Sequence, residues 1–195
     1  MTTRTATVTR DTQETQITVS IDLDGTGKYE VDTDLGFLNH MLELFSKHGL
    51  FDLKVTARGD MKFDDHHLIE DTGIALGLAV KQAIGDKKGI RRYGFMLLPM
   101  DEVLCASATD LSGRFTFETN YAPVREKVND FPTEMVNHFF KSLALNAEMN
   151  LHFQFLNPGE NEHHRIEGMF KAFARSLRMS CEYDPRALDQ LPSTK

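Results

Sequence analysis

The chain has 195 residues and a mass of 22.1 kDa, with 41% apolar residues, 26% charged residues and a formal net charge of −7. That is enough chain for one domain with a real core, and the composition excludes the disordered and fibrous classes. The acidic balance, with no extended Lys/Arg block, argues against general nucleic-acid or anionic-membrane binding, so any basic site is local.

Residues 1–10 alternate Thr, Arg and Val with no apolar signal-like run, and no later stretch approaches the ~20 apolar residues of a membrane span. The expectation is a soluble, cytoplasmic protein. Residues 16–23 alternate with the period of a strand, and Gly25-Thr26-Gly27 reads as a turn. Over 35–47, Leu38, Met41, Leu42 and Phe45 recur at helical spacing, with Gly49 as the stop. A strand is predicted over 51–57, followed by a long helix to about Ile84 that Asp64 and Asp65 can cap. Strands are predicted again around 95–98 and 103–110, then a helix near 133–147, a strand at 150–156 and a helix from about Asn161 to Ser180. Cys105 and Cys181 lie far apart in no CxxC pattern and read as small buried hydrophobes in a reducing compartment.

These elements repeat. Glu14 is followed eight residues later by Asp22-Leu23-Asp24-Gly25, and Glu102 by Asp110-Leu111-Ser112-Gly113. Asn39-His40 recurs as Asn137-His138, and His66-His67-Leu68-Ile69-Glu70 as His163-His164-Arg165-Ile166-Glu167. The offset grows from 88 to about 98 between these matches, which implies an insertion near 120–128. The reading is one α+β domain of two pseudo-repeats, about 1–88 and 89–185, plus a C-terminal tail. Each half is a small, mostly antiparallel sheet carrying two helices, and it needs a second copy to cover its apolar face.

Six of the eight histidines fall at matched positions of the repeat. A lone histidine is ordinarily a satisfied core or surface residue, but a twofold His…HisHisxxGlu array points to metal. On a helix, i and i+4 share a face whereas i and i+1 diverge by about 100°. His66 or His67 can therefore share a metal with Glu70, but His66 and His67 cannot share one, and the same holds for His163, His164 and Glu167. Three histidines and one carboxylate per half supply two sites with open positions. Imidazole and carboxylate donors without thiolates suit Mn²⁺, Fe²⁺ or Zn²⁺ better than Ca²⁺ or Mg²⁺.

The motifs Leu35-Gly36-Phe37-Leu38-Asn39-His40-Met41-Leu42, Lys47-His48-Gly49-Leu50-Phe51-Asp52-Leu53, Asp64-Asp65-His66-His67-Leu68-Ile69-Glu70-Asp71, Pro99-Met100-Asp101-Glu102, Asp110-Leu111-Ser112-Gly113-Arg114 and Pro192-Ser193-Thr194-Lys195, with the second His pair, resemble the imidazoleglycerol-phosphate dehydratase family. The match runs from about residue 10 to residue 195 in the family's order. The resemblance implies a duplicated ribosomal protein S5 domain 2-like fold and a 24-subunit homo-oligomer with active sites between subunits. It also implies two Mn²⁺ per subunit held by His40, His66, His67, Glu70, His138, His163, His164 and Glu167. Three departures stand out: Asn39 replaces a common Asp, Leu44 replaces a Gln found in some members, and the loop at 157–160 is one residue longer.

The implied activity is a hydro-lyase of histidine biosynthesis that converts D-erythro-imidazole glycerol phosphate to imidazole acetol phosphate. The proton lost is on C2, next to the imidazole-bearing C3 and to no carbonyl, and is barely acidic, so an electron sink is required. Cations on both ring nitrogens can hold an imidazolate whose electrons expel the C3 hydroxide through a diazafulvene. Glu14, in Thr12-Gln13-Glu14-Thr15, and Glu167 are the candidate acid and base. The family match points to Arg92, Arg114, Lys171, Ser193 and Lys195 for the phosphate, and to His48 as a further substrate contact. Lys171 can equally be an i,i+4 partner of Glu167, and its counterpart in the first half is Ile74. His152 reads as a core residue or as a support for the site. Two rival readings are a dinuclear metal hydrolase with a bridging water and an assembly protein whose metals only join subunits; coordinatively closed sites would mark the latter.

Overall fold

The computed structural model describes residues 3–192. In the first half, β1 (Thr5–Asp11) and β2 (Thr15–Asp22) form a hairpin; β3 (Tyr29–Thr33), α1 (Gly36–Gly49), β4 (Asp52–Gly59) and α2 (His66–Ile84) follow. The second half repeats the order with β5 (Tyr93–Met100), β6 (Val103–Asp110), β7 (Thr116–Thr119), α3 (Met135–Asn146), β10 (Asn150–Asn157) and α4 (Glu162–Cys181). It adds a short ribbon of β8 (Lys127–Val128) and β9 (Phe131–Pro132). The two large sheets have matching strand orders, β1-β2-β4-β3 and β5-β6-β10-β7.

Each sheet contains one parallel pair, β3 with β4 and β7 with β10, because α1 or α3 crosses between them. The sheets are therefore mixed, and β1, β3 and β7 are strands that the hydropathy pattern does not announce. Inward residues alternate along the central strands: Ile17, Val19 and Ile21 on β2, and Leu53, Val55 and Ala57 on β4. Asp65 stands at the cap position of α2 without a side-chain cap bond; Asp64 accepts the His66 N–H at 3.3 Å instead.

The four helices lie between the sheets and pair across the halves. Helix α1 packs on α4, where Phe45 stacks on Phe173 at 5.6 Å, and α2 packs on α3. The second pairing brings backbones close: a Cβ on Gly73 would lie 2.7 Å from the Phe139 carbonyl oxygen, and one on Gly77 would lie 2.4 Å from that of Leu143. Glycine at both positions lets the middle of α2 lie directly against the α3 backbone. The connections also differ between halves. Asp34 and Leu35 join β3 to α1, whereas residues 120–134 join β7 to α3 and contain the ribbon, where the sequence predicts an insertion.

Candidate active site

The helix pairings assemble two triads of matching composition, each drawing on both halves, and of these the α1–α4 one brings its three ligand atoms within 4.8 Å of one another. Where α1 meets α4, His163 Nε2 lies 2.9 Å and His40 Nε2 3.6 Å from Glu167 Oε2, and the two imidazole rings are 5.6 Å apart. Where α2 meets α3, His66 Nε2 lies 3.4 Å from Glu70 Oε2, with the His138 ring 5.1 Å from that of His66. Ser142 donates to Glu70 Oε1 at 3.2 Å. His40, His66 and His163 are half-buried, whereas Glu167 is 9% exposed.

The second histidine of each doubled pair turns away, as the helical angle requires. Nδ1 of His67 lies 3.5 Å from Glu14 Oε2, and Nδ1 of His164 lies 2.9 Å from Glu102 Oε2. Glu14 follows β1 and Glu102 follows β5, so the two pairs are counterparts in the repeat. Glu102 also accepts the N–H groups of Glu160 and Asn161. His164, with the Asn161 and Glu160 N–H groups, holds the Glu102 carboxyl down to about 2. Asn161 caps α4 by accepting the His163 and His164 N–H groups, which orients both rings at the helix start.

The donors fit a divalent cation. One ligand atom from each of His40, His163 and Glu167 lies within 4.8 Å of the others, and the set combines imidazole with carboxylate. Asp101, Glu102 and His164 form a second such group, more exposed. Lys171 pairs with Glu167 Oε1, so only Oε2 faces the imidazoles. Burial works to raise the Glu167 carboxyl, but Lys171 and His163 outweigh it and leave it below the usual glutamate range.

A family model described as imidazoleglycerol-phosphate dehydratase matches residues 33–177. The chain belongs to the imidazoleglycerol-phosphate dehydratase family. It is 53% identical over 194 residues to a member from Methylorubrum extorquens, covering 98% of both chains, and 51% identical over 192 residues to one from Psychrobacter, covering 98% of this chain and 92% of the other. Among solved structures, the dehydratase of Staphylococcus aureus has a TM-score of 0.83 at 39% identity, over 92% of this chain and 99% of that one. The Pyrococcus furiosus enzyme, crystallised with (S)-C348, has a TM-score of 0.80 at 31% identity over 96% and 98%.

Of the residues that the dehydratase resemblance assigns to phosphate, Lys171 lies at the His40/His163/Glu167 triad, but Arg92 and Arg114 do not gather there. Arg92 makes an ion pair with Asp110 at 2.7 Å and donates to the Pro192 carbonyl oxygen at 2.8 Å. Its N–H donates to the Ser180 carbonyl near the end of α4, thirteen residues beyond Glu167 and so ~20 Å along the helix. Exposed Arg114 follows Gly113, whose N–H donates to the Glu148 carbonyl, and Glu148 pairs with Lys81 near the end of α2. Both arginines are thus at the far end of the sandwich from both triads. Ser193 and Lys195 lie outside the described residues, directly after the segment that Arg92 holds.

His48, in the last turn of α1, is lowered by burial and then by Lys171, Arg175 and Lys47. His152 is exposed on β10 because its side chain alternates away from the inward Leu151 and Phe153, so it is not a core residue. Asn39 accepts the Thr33 N–H at 2.8 Å and donates to the Thr33 carbonyl at 3.4 Å, a two-way contact that an ionised Asp could not make. Leu44 packs against the core. In the longer loop, Gly159 has φ +60, and a Cβ there would lie 2.5 Å from Glu102 Cγ. Glu102 is the site residue that the sequence reading left unassigned; its place opposite Glu14 in the repeat was the signal.

Proposed function

We propose that this chain is a metal-dependent hydro-lyase of histidine biosynthesis, removing water from D-erythro-imidazole glycerol phosphate to give imidazole acetol phosphate. The observation that carries the reading is the pair of triads, His40/His163/Glu167 and His66/Glu70/His138, in a member of this family. Each would hold one divalent cation, Mn²⁺ being the expected one. Such ions would supply Lewis acidity at the two ring nitrogens, so that an imidazolate can expel hydroxide by way of a diazafulvene.

Glu14, exposed and bound only loosely to His67, is the carboxylate free to accept the C2 proton. Both oxygens of Glu167 are already engaged, which favours its role as a ligand over its role as a base. Hydroxide leaves C3 and is protonated to water, and the remaining enol tautomerises to the ketone. Arg114, with Ser193 and Lys195, would grip the phosphate; Lys171 acts through Glu167 rather than through substrate.

Three observations favour sites shared between chains. Each triad offers three donors, His67 and His164 point outside their own triads, and the separation of Arg92 and Arg114 from the triads exceeds the reach of a glycerol phosphate side chain. His67 and His164 would each complete a triad of a neighbouring chain, in a homo-oligomer expected to have 24 subunits. Two buried thiols suit the reducing cytoplasm. Turnover of imidazole glycerol phosphate with and without chelation tests the activity; full turnover by metal-free protein would reject it. For shared sites, His163→Ala chains are expected to be inactive and Arg114→Ala chains impaired at substrate below their raised KM, and their co-assembled mixture to regain turnover at low substrate. A mixture as inactive as its parts places all functional groups in one chain.

A further inference from the structure

Residues 120–134 have no counterpart in the first half, and the proposed chemistry gives them no role. They are anchored at two points. At α4, the Tyr121 hydroxyl donates to Glu162 Oε1 at 2.5 Å, and the Val124 N–H donates to Glu162 Oε2 at 2.8 Å. Glu162 is buried and immediately precedes His163. At α1, the Asp130 carboxylate accepts the N–H of Gly36 at 2.5 Å and that of Phe37 at 3.0 Å.

Helix α1 has no cap of its own. Apolar Leu35 occupies the cap position, and the first turn contains no acidic residue. Its leading N–H groups are satisfied by a carboxylate from the opposite half of the chain. Phe131, next to Asp130, packs on Phe37 at 5.8 Å, and Phe37 meets the His163 ring edge-on at 5.2 Å and lies 6.5 Å from the His40 ring. The segment therefore bridges the first turns of the two helices that carry the His40/His163/Glu167 triad. The matching connection in the first half is only Asp34 and Leu35, so the other triad has no such bridge.

We infer that Asp130 is a positioning residue: by capping α1 from the opposite half, it sets His40 against His163 and Glu167 and so governs the metal affinity of that triad alone. The inference rests on the metal reading above. Frayed first-turn geometry would let His40 drift, and groups that orient ligands without touching the metal affect its affinity by about 10–100-fold.

The test is titration of the metal-free, full-length protein with Mn²⁺ against a chromophoric chelator. Asp130→Ala is expected to weaken one of two metal equivalents by about 10–100-fold and leave the other unchanged. Asp130→Asn, which keeps an acceptor, restores most of the affinity. Tyr121→Phe, which removes one of the two bonds of the other anchor, weakens the same equivalent and carries the test if Asp130→Ala does not fold. In a His66→Ala background the affected equivalent is the one that remains; in a His163→Ala background Asp130→Ala changes nothing. Equal weakening of both equivalents, or no change in a folded variant, overturns the inference. A parent protein that takes up no divalent metal overturns the reading beneath it as well.

Discussion

Glu102 lies 2.9 Å from His164 as the repeat's counterpart of Glu14, yet the two carboxylates are held differently. The 157–161 loop wraps Glu102 with two backbone N–H groups, and Arg165 ties that loop down by donating to the carbonyls of Pro158 and Gly159. Glu14 has only the nearby His67. One copy is held in place by several donors, and the other has the looser footing that the proposed proton transfer asks of Glu14.

Gly159→Ala tests that arrangement. Its φ of +60 disfavours any Cβ, and the new methyl would collide with Glu102. The expected result is a stability loss above about 1 kcal/mol, a displaced Glu102 and lower turnover. Thermal unfolding and steady-state kinetics measure both, and an unchanged variant would show that the loop does not hold Glu102.

The local elements were legible where one face is buried and the other wet. Helix α1 announced itself through Leu38, Met41, Leu42 and Phe45, all buried. Strands β1, β3 and β7 lie at sheet edges, and β1 buries only Val8 and β3 only Thr33, so neither shows alternation. The doubling of histidines was legible because adjacent helix positions diverge. Which histidine joins which carboxylate was not, since His40 meets Glu167 only through the packing of α1 on α4. Arg92 looked free because its partner Asp110 is distant in sequence and reaches it only through the β5–β6 pairing.

Arg114→Ala is expected to raise KM for imidazole glycerol phosphate while barely altering any residual turnover of the dephosphorylated compound. A charge-assisted contact of this kind contributes about 1.5–3 kcal/mol, or roughly 10–150-fold. Equal losses for both compounds would remove Arg114 from the phosphate site.

A substrate methylated on one ring nitrogen should be essentially inert even at saturation, because the missing ligand position belongs to the transition state. Turnover within about tenfold of the natural substrate would fit metals that are only structural, since losing a catalytic metal contact costs several decades.

Chelation should reduce the proposed 24-subunit assembly to smaller oligomers if His67 and His164 are donated to neighbouring chains. Light scattering before and after metal removal reads this directly; an unchanged particle mass would falsify shared ligation.

Neither half of the chain owns a complete triad: α1 lends His40 to α4, and α3 lends His138 to α2. An ion bound at a triad as proposed would therefore recognise the docked pair of halves and neither half alone, and would act as a clasp between them. By linkage, free metal at a hundredfold its dissociation constant adds about 2.7 kcal/mol per site to the docked state. The thermal midpoint should rise with free Mn²⁺, and a midpoint indifferent to metal would mean that the halves lock without it. The metal-free chain, in this view, keeps its two halves docked through the apolar packing of α1 on α4 and α2 on α3, and the ion adds to that closure.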